Sequence, residues 1–194
     1  MLASTAVEAR LAAYLRLLET WNSRINLVGR GEGAGLIQRH LLDSLAVVPL
    51  LPASATRIVD LGAGGGFPGL VVAIATGIAT HLIERDQRKC AFLREARRQT
   101  DAPVEVHQAD FSTLPALAAD VVLSRATARL PGLLDAAARH ARKGGTMLFH
   151  KSEAQTAEIE AARAGWRFRV QDFANPADRR GRVWRITELR RHHD

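Results

Sequence analysis

The sequence predicts an α/β fold built on a mostly parallel sheet, with a helical extension before it and an antiparallel hairpin strand at its C-terminus. Three observations carry this reading. Between residues 57 and 150 short apolar runs alternate with helical stretches, the pattern of a parallel sheet covered by helices on both faces. The first run, Arg57 to Leu61, leads into a glycine-dense turn and then Pro68, which suits the first turn of a helix because a missing N–H costs nothing there. Two last alternating segments, Trp166 to Phe173 and Arg182 to Leu189, flank the polar turn Asn175 to Gly181 and read as a hairpin.

Taken in order, Val7, Leu11, Tyr14, Leu15, Leu18 and Trp21 recur at helical spacing, so the chain opens on an amphipathic helix that needs a partner. Asn22 to Gly35 breaks that period with Gly29, Gly31, Gly33 and Gly35 and reads as a mobile connection. A second helix is expected from Leu36 to Leu51. It carries Arg39, His40, Asp43 and Ser44, whose spacing sets two polar pairs, Arg39 with Asp43 and His40 with Ser44, on neighbouring lines. Strands follow near 57–61, 79–84, 103–107, 119–124 and 145–150, and a helix from Ser152 to Ala164. Residues 1–51 form a helical extension packed on an α/β domain of residues 52–194, the two making one structural domain overall.

With 194 residues, 47% of them hydrophobic, the chain has room for one domain and a real core. A single cysteine, Cys90, rules out an internal disulfide and fits a reducing compartment. No apolar run is long enough to cross a membrane, and the first sixteen residues lack a basic start followed by an apolar block, so a cytoplasmic protein without membrane partners is expected. The formal charge is +7, and of 27 basic residues only Lys89, Lys143 and Lys151 are lysines. An arginine excess suits phosphate, because the planar guanidinium donates two parallel hydrogen bonds, so nucleic acid is the favoured partner.

The glycine loop is built to hold a ligand. Glycines let the backbone turn without a Cβ in the way, so a ligand can lie against the main chain at a helix N-terminus. A dinucleotide fingerprint requires glycine at the sixth position from Gly62, and that position is Phe67. An acid two residues before G-x-G-x-G, here Asp60 before Gly62, Gly64 and Gly66, resembles the first motif of S-adenosylmethionine-dependent methyltransferases. Some twenty residues on, Glu84 ends the next strand, where a carboxylate offers acceptors for both ribose hydroxyls. Ligands in such sheets sit at the carboxyl ends of the strands, so the chemical candidates are Asp60 and the glycines, Glu84, Asp110 to Ser112, Ser124 to Ala126, and His150 with Lys151.

Methyl transfer from a sulfonium needs a nucleophile and alignment. Cys90 follows Lys89 rather than a proline, so it reads as core filler and not as the thiol used for carbon methylation. The segment Ser124 to Arg129 lacks the acid or Asn followed by Pro-Pro that marks exocyclic amine methylation, and no lysine precedes Lys89 to support ribose methylation. A ring nitrogen with a free lone pair, such as guanine N7, remains.

These residues together resemble one family, the bacterial 16S rRNA guanine-N7 methyltransferases, RsmG or GidB. The resemblance runs over Trp21-Asn22 with Asn26-Leu27, then Arg39 to Leu45, the loop from Asp60 to Gly69, Lys89 with Phe92-Leu93, Ser124-Arg125-Ala126, and Lys151. It implies a Rossmann-like class I S-adenosylmethionine methyltransferase fold and an enzyme that methylates N7 of a guanine in 16S rRNA or the small ribosomal subunit. S-adenosyl-L-methionine is the implied cofactor, and no metal and no obligate protein partner are expected. The implied cofactor residues are Asp60, Gly62, Gly64, Phe67, Glu84, Asp110, Phe111, Ser112 and Arg125, with Phe67 or Phe111 against adenine. Asn26, Arg39, His40, Asp43 and Ser44 are implied on the RNA side, and Arg125 and Lys151 at the chemistry. Ser152 departs from the glycine that usually follows the family lysine. Two other functions compete. One is a noncatalytic RNA-binding module that kept the fold, which the intact glycines and Glu84 disfavour. The other is a nucleotide-dependent dehydrogenase, which lacks its catalytic Tyr-x-x-x-Lys because Tyr14, the sole tyrosine, precedes the loop.

Overall fold

A computed structural model describes residues 5–28, 33–125 and 128–192. Helix α1, Thr5–Asn22, buries Leu11, Tyr14, Leu17 and Leu18. Leu17 takes the inward place expected of Leu15, which is only half-buried. The segment after α1 is ordered rather than loose as far as Val28. The Asn22 side chain accepts from the N–H groups of Leu27 and Val28, both 3.0 Å away, and both of those side chains are buried. Residues 29–32 of the expected connection lie outside the described residues.

Helix α2, Gly33–Leu45, stops six residues before the expected end, and Val48–Leu50 form a 3₁₀ turn. Pro49 is the cause, because its ring clashes with the carbonyl four residues back and it has no N–H to continue the ladder.

The sheet follows in order: β1 Arg57–Leu61, β2 Ala79–Glu84, β3 Val104–Gln108, β4 Ala119–Ser124, β5 Ala141–Ser152, β6 Trp166–Ala174 and β7 Gly181–Arg191. Between them run α3 Gly69–Thr76, α4 Gln87–Thr100, α5 Leu130–His140 and α6 Ala157–Arg163. The spatial order is β3-β2-β1-β4-β5-β7-β6. β5 is longer than expected because Ala141 pairs with Ala119 and Thr146 with Val121, leaving a bulge that turns at Gly144, φ +76°. β7 runs antiparallel to both β5 and β6. The hairpin thus supplies the one antiparallel strand expected at the C-terminus; β7 sits one place in from the edge, and the edge strand β6 runs with the rest. The helix expected over Ser152 to Ala164 divides into a 3₁₀ turn, Glu153–Gln155, and α6, because Ser152 donates to the Gln155 side chain through both its N–H and its hydroxyl.

One sheet face packs on α1, α3 and α4 through Tyr14, Leu18, Leu70, Leu82, Phe92 and Leu93. The other packs on α5 and α6 through Val59, Ile83, Leu134, Phe149 and Trp184. α1 thus belongs to the same core cluster as the helices of the sheet. Among the described residues no helix is long and apolar enough to cross a membrane.

Candidate active site

The turn after β1 is shaped by backbone that only glycine adopts readily: φ is +75° at Gly62, +55° at Gly64 and +96° at Gly66. The N–H groups of Gly62 and Ala63 both bond the Ile83 carbonyl, which pins the turn to the end of β2. From the other side the Tyr14 hydroxyl donates to the Gly65 carbonyl, and its ring meets Phe67 edge-on at 5.5 Å. Gly69 opens α3 against β1: its N–H donates to Asp60 Oδ2 at 2.9 Å, and a Cβ there would lie 2.6 Å from the Asp60 Cβ.

Asp60 therefore acts from behind the loop. It is fully buried and does not line the cavity, which corrects its expected place beside the cofactor. Its Oδ1 has no hydrogen-bond partner, and burial pushes its pKa up to about 7 against the opposing Gly69 hydrogen bond.

The cavity outside this loop holds about 620 Å³, within the span of small-molecule sites. Its floor is the main chain of Gly62 to Gly65, with Ile83 beside it. Glu84 forms one wall with both oxygens held by backbone, Oε2 by the Gly64 N–H at 3.0 Å and Oε1 by the Asp86 N–H at 2.8 Å. Each oxygen keeps a second lone pair for a ligand hydroxyl. Ala109, Asp110 and Phe111 continue that wall. Asp110 Oδ1 accepts from the Ser112 hydroxyl at 2.6 Å and its N–H at 2.8 Å, and these bonds hold its carboxyl below the usual range, hence ionised. Ser112 is exposed and outside the lining, so it orients Asp110 rather than meeting a ligand itself.

Arg125 and Phe67 close the other end. The guanidinium lies 5.5 Å from the Phe67 ring centre, donates to His40 Nδ1 at 2.6 Å, and stands 3.7 Å from Asp43 Oδ2. Burial, then Arg125 and Arg39, lower the His40 pKa to about 4, so the ring is neutral and its Nδ1 can accept. Asp43 is turned inward: Oδ1 accepts from Asn175 Nδ2 at 2.9 Å, and its carbonyl accepts from His150 Nε2 at 2.9 Å. Ser124, one residue before Arg125, donates its hydroxyl to the Leu61 carbonyl and ties β4 to β1.

Several expected positions change. Ser44 is fully buried and its hydroxyl bonds the His40 carbonyl, so it satisfies its own helix and does not face RNA. Asp43 holds Arg125 and Asn175 rather than presenting a carboxylate outward. Lys151 does not reach the cavity. Its side chain has no exposure, and Nζ donates to Glu158 Oε2 and the Ala128 carbonyl, each at 2.8 Å. The cause is the two-residue period of β5, which turns His150 toward α2 and Lys151 toward α6. Asn26 and Arg39 are exposed, and Ala126 lies outside the described residues. Cys90 is buried core, as expected.

Leu27, Arg85 and Lys89 also line the cavity without having been singled out as site residues. Lys89 had a readable signal. It stands in the first turn of a helix capped by Asp86, immediately after the acid that ends β2. Leu27 belongs to the Asn26-Leu27 pair of the family resemblance, but only the turn that Asn22 holds brings it to the cavity.

A family model described as GidB, rRNA small subunit methyltransferase G, matches residues 7–178. Ribosomal RNA small subunit methyltransferase G of Rhodospirillum centenum is 46% identical over 180 residues, 93% of this chain and 83% of that protein. The protein of the same name from Paramagnetospirillum magneticum is 42% identical over 182 residues, 94% of this chain and 89% of its own. Among solved structures, M. jannaschii TYW2 in complex with AdoMet matches with a TM-score of 0.60 at 16% identity, over 87% of this chain and 80% of that one, which is a likeness of fold.

Proposed function

The chain belongs to the rRNA small subunit methyltransferase G family, and from that premise we propose how its cavity serves S-adenosylmethionine-dependent methylation of guanine N7 in 16S rRNA. The observation that carries the proposal is the join between Glu84 and Gly64: an ionisable wall and a bare main-chain floor, locked together by one hydrogen bond. The residues fit the cofactor. A Cβ at Gly64 would have only the Gly62 carbonyl within 4 Å, so the space above the loop is open, and Glu84 has acceptors left for a vicinal diol. Bound there, S-adenosylmethionine supplies an electrophilic methyl group on a sulfonium.

Glu84 would accept from the ribose hydroxyls, Asp110 would accept from the adenine amine, and Phe111 would cover the ring, all three lining the cavity. Phe67, almost fully buried among Tyr14, His40 and Arg125, shapes the methionine end instead of stacking on adenine. Arg125 binds the methionine carboxylate or an RNA phosphate at the opening, with Asp43 and His40 fixing its guanidinium. Asn26, Arg39 and the edge of His40 meet the RNA. With the cofactor held by these residues, Arg125, His40 and Asp43 would keep the cavity mouth set for a guanine whose N7 lone pair would take up the methyl group that the sulfonium supplies. N7 carries no proton to remove, so no general base is needed, and the fit lies in alignment. The protein acts in the cytoplasm, on 16S rRNA or the small subunit.

Incubating the purified protein with methyl-labelled cofactor and either naked 16S rRNA or small subunits, then digesting the RNA for mass spectrometry, tests this. One 7-methylguanosine per RNA is expected from at least one substrate. Label on another atom, or none on either substrate, overturns it.

A further inference from the structure

Away from the cavity, the edge of the sheet gathers three metal-ligating side chains on one face. His81 stands on β2, and Glu105 and His107 on the edge strand β3, with His81 paired in register to Glu105 and Ile83 to His107. Residues two apart on a strand share a face, so Glu105 and His107 flank His81. His81 Nδ1 and His107 Nε2 are 2.9 Å apart, and Glu105 reaches both rings, Oε2 lying 3.5 Å from His81 Nδ1 and Oε1 3.7 Å from His107 Nε2. The two imidazoles are largely shielded, at 18% and 15% exposure, whereas the carboxylate is 65% exposed and free to adjust.

We propose that His81, Glu105 and His107 form a binding site for a borderline transition-metal cation, Zn²⁺ above all. Donors about 2.0–2.1 Å from a tetrahedral zinc stand roughly 3.3 Å from one another; the observed separations are 2.9 Å between the two nitrogens and 3.5 or 3.7 Å from each to a Glu105 oxygen, and one donor atom from each of the three residues lies within 4.8 Å of the other two. A lone hydrogen bond between the imidazoles explains the shortest of them, yet not a carboxylate placed against the same two nitrogens. Two nitrogens and one carboxylate oxygen suit Zn²⁺ and its neighbours; Mg²⁺ and Ca²⁺ take oxygen sets. Three protein donors leave a fourth position for water. The site fastens the edge strand to β2 and lies three residues, about 10 Å, short of Glu84, so it is separate from methyl transfer.

Titrating tag-free, metal-stripped full-length protein with Co²⁺, followed by its visible d–d absorption and then by displacement with Zn²⁺, reads this directly. One equivalent is expected to bind. Affinity should fall at least ~10-fold in Glu105→Gln and further in His107→Gln, while both variants keep the far-ultraviolet dichroism of the parent. Zn²⁺ should also raise the melting temperature of the parent but not of His107→Gln. Absence of saturable binding overturns the proposal. So does unchanged affinity in both variants, which would move the metal to another group such as His192.

Discussion

Arg125 and Lys151 stand at the carboxyl ends of neighbouring strands, and both are cations in the middle of the molecule, yet they have opposite work. Arg125 keeps 24% of its side chain exposed and is held at the cavity mouth by His40 and a carboxylate 3.7 Å away. Lys151 is sealed beneath α6, its charge spent on Glu158 and a carbonyl. A guanidinium held loosely by neighbours retains donors for a ligand, because its five N–H groups exceed what His40 and Asp43 use. An ammonium with no exposure, two short bonds and the Trp184 ring beside it cannot turn its third N–H to a ligand in the cavity. Position at a strand end is thus not sufficient for a role at the site; the strand's alternation decides the rest.

The sharpest way to break this contrast is Arg125→Ala. Methyl transfer should fall by about two to three orders of magnitude, as when a positioned donor is removed from an active site. Thermal stability should fall less than in Lys151→Met, since Asp43 keeps Asn175 and stands 3.7 Å from the guanidinium. Lys151→Met should behave in reverse. Removing one partner of a buried ion pair destabilises by about 3 kcal/mol, readable in urea, while the folded fraction binds cofactor as before. Equal loss of activity and stability in both variants would erase the distinction.

A third probe uses His150, the neighbour of Lys151 that turned the other way. Burial lowers its pKa to about 4 in the folded chain, against roughly 6.5 when unfolded. Between those values the unfolded chain holds the extra proton, so stability falls as pH drops from about 6.5 to 4, by about 2–3 kcal/mol from this residue. His40 titrates in the same sense, and Asp60, raised to about 7, in the opposite one. Denaturation across that range should therefore show a shallower acid loss in His150→Gln than in the parent. Smallest of the four is Tyr14→Phe, which leaves the Gly65 carbonyl without its donor. A loss of about 1 kcal/mol and a modest weakening of cofactor binding in calorimetry are expected.

Much of this was legible in the chain. Strands at 57–61, 79–84 and 119–124 carry their own pattern and form where it puts them. The glycine loop announces itself because its positive φ angles admit few other residues. The path from Glu84 to the loop is equally local, spanning one strand–turn–helix unit. What stayed hidden depends on partners distant in sequence. Asp43 meets Asn175 only after the hairpin folds back. That His150 and Lys151 point to opposite faces is legible, but which of them meets α2 and which α6 is not until those helices have known sides. Ser44 looked polar and available because a sequence cannot say that a hydroxyl has already been taken by the carbonyl one turn behind it.

The place of β7 has a temporal consequence. β7 wedges between two strands made earlier, so β5 waits with an open flank and β6 has no neighbour until residue 191 is synthesised. Nascent chains stopped short of that point would carry an unpaired margin, a natural substrate for chaperones. Asn175, in the turn before β7, reaches Asp43 as that strand docks, so the arginine at the cavity mouth is braced only after the hairpin has closed.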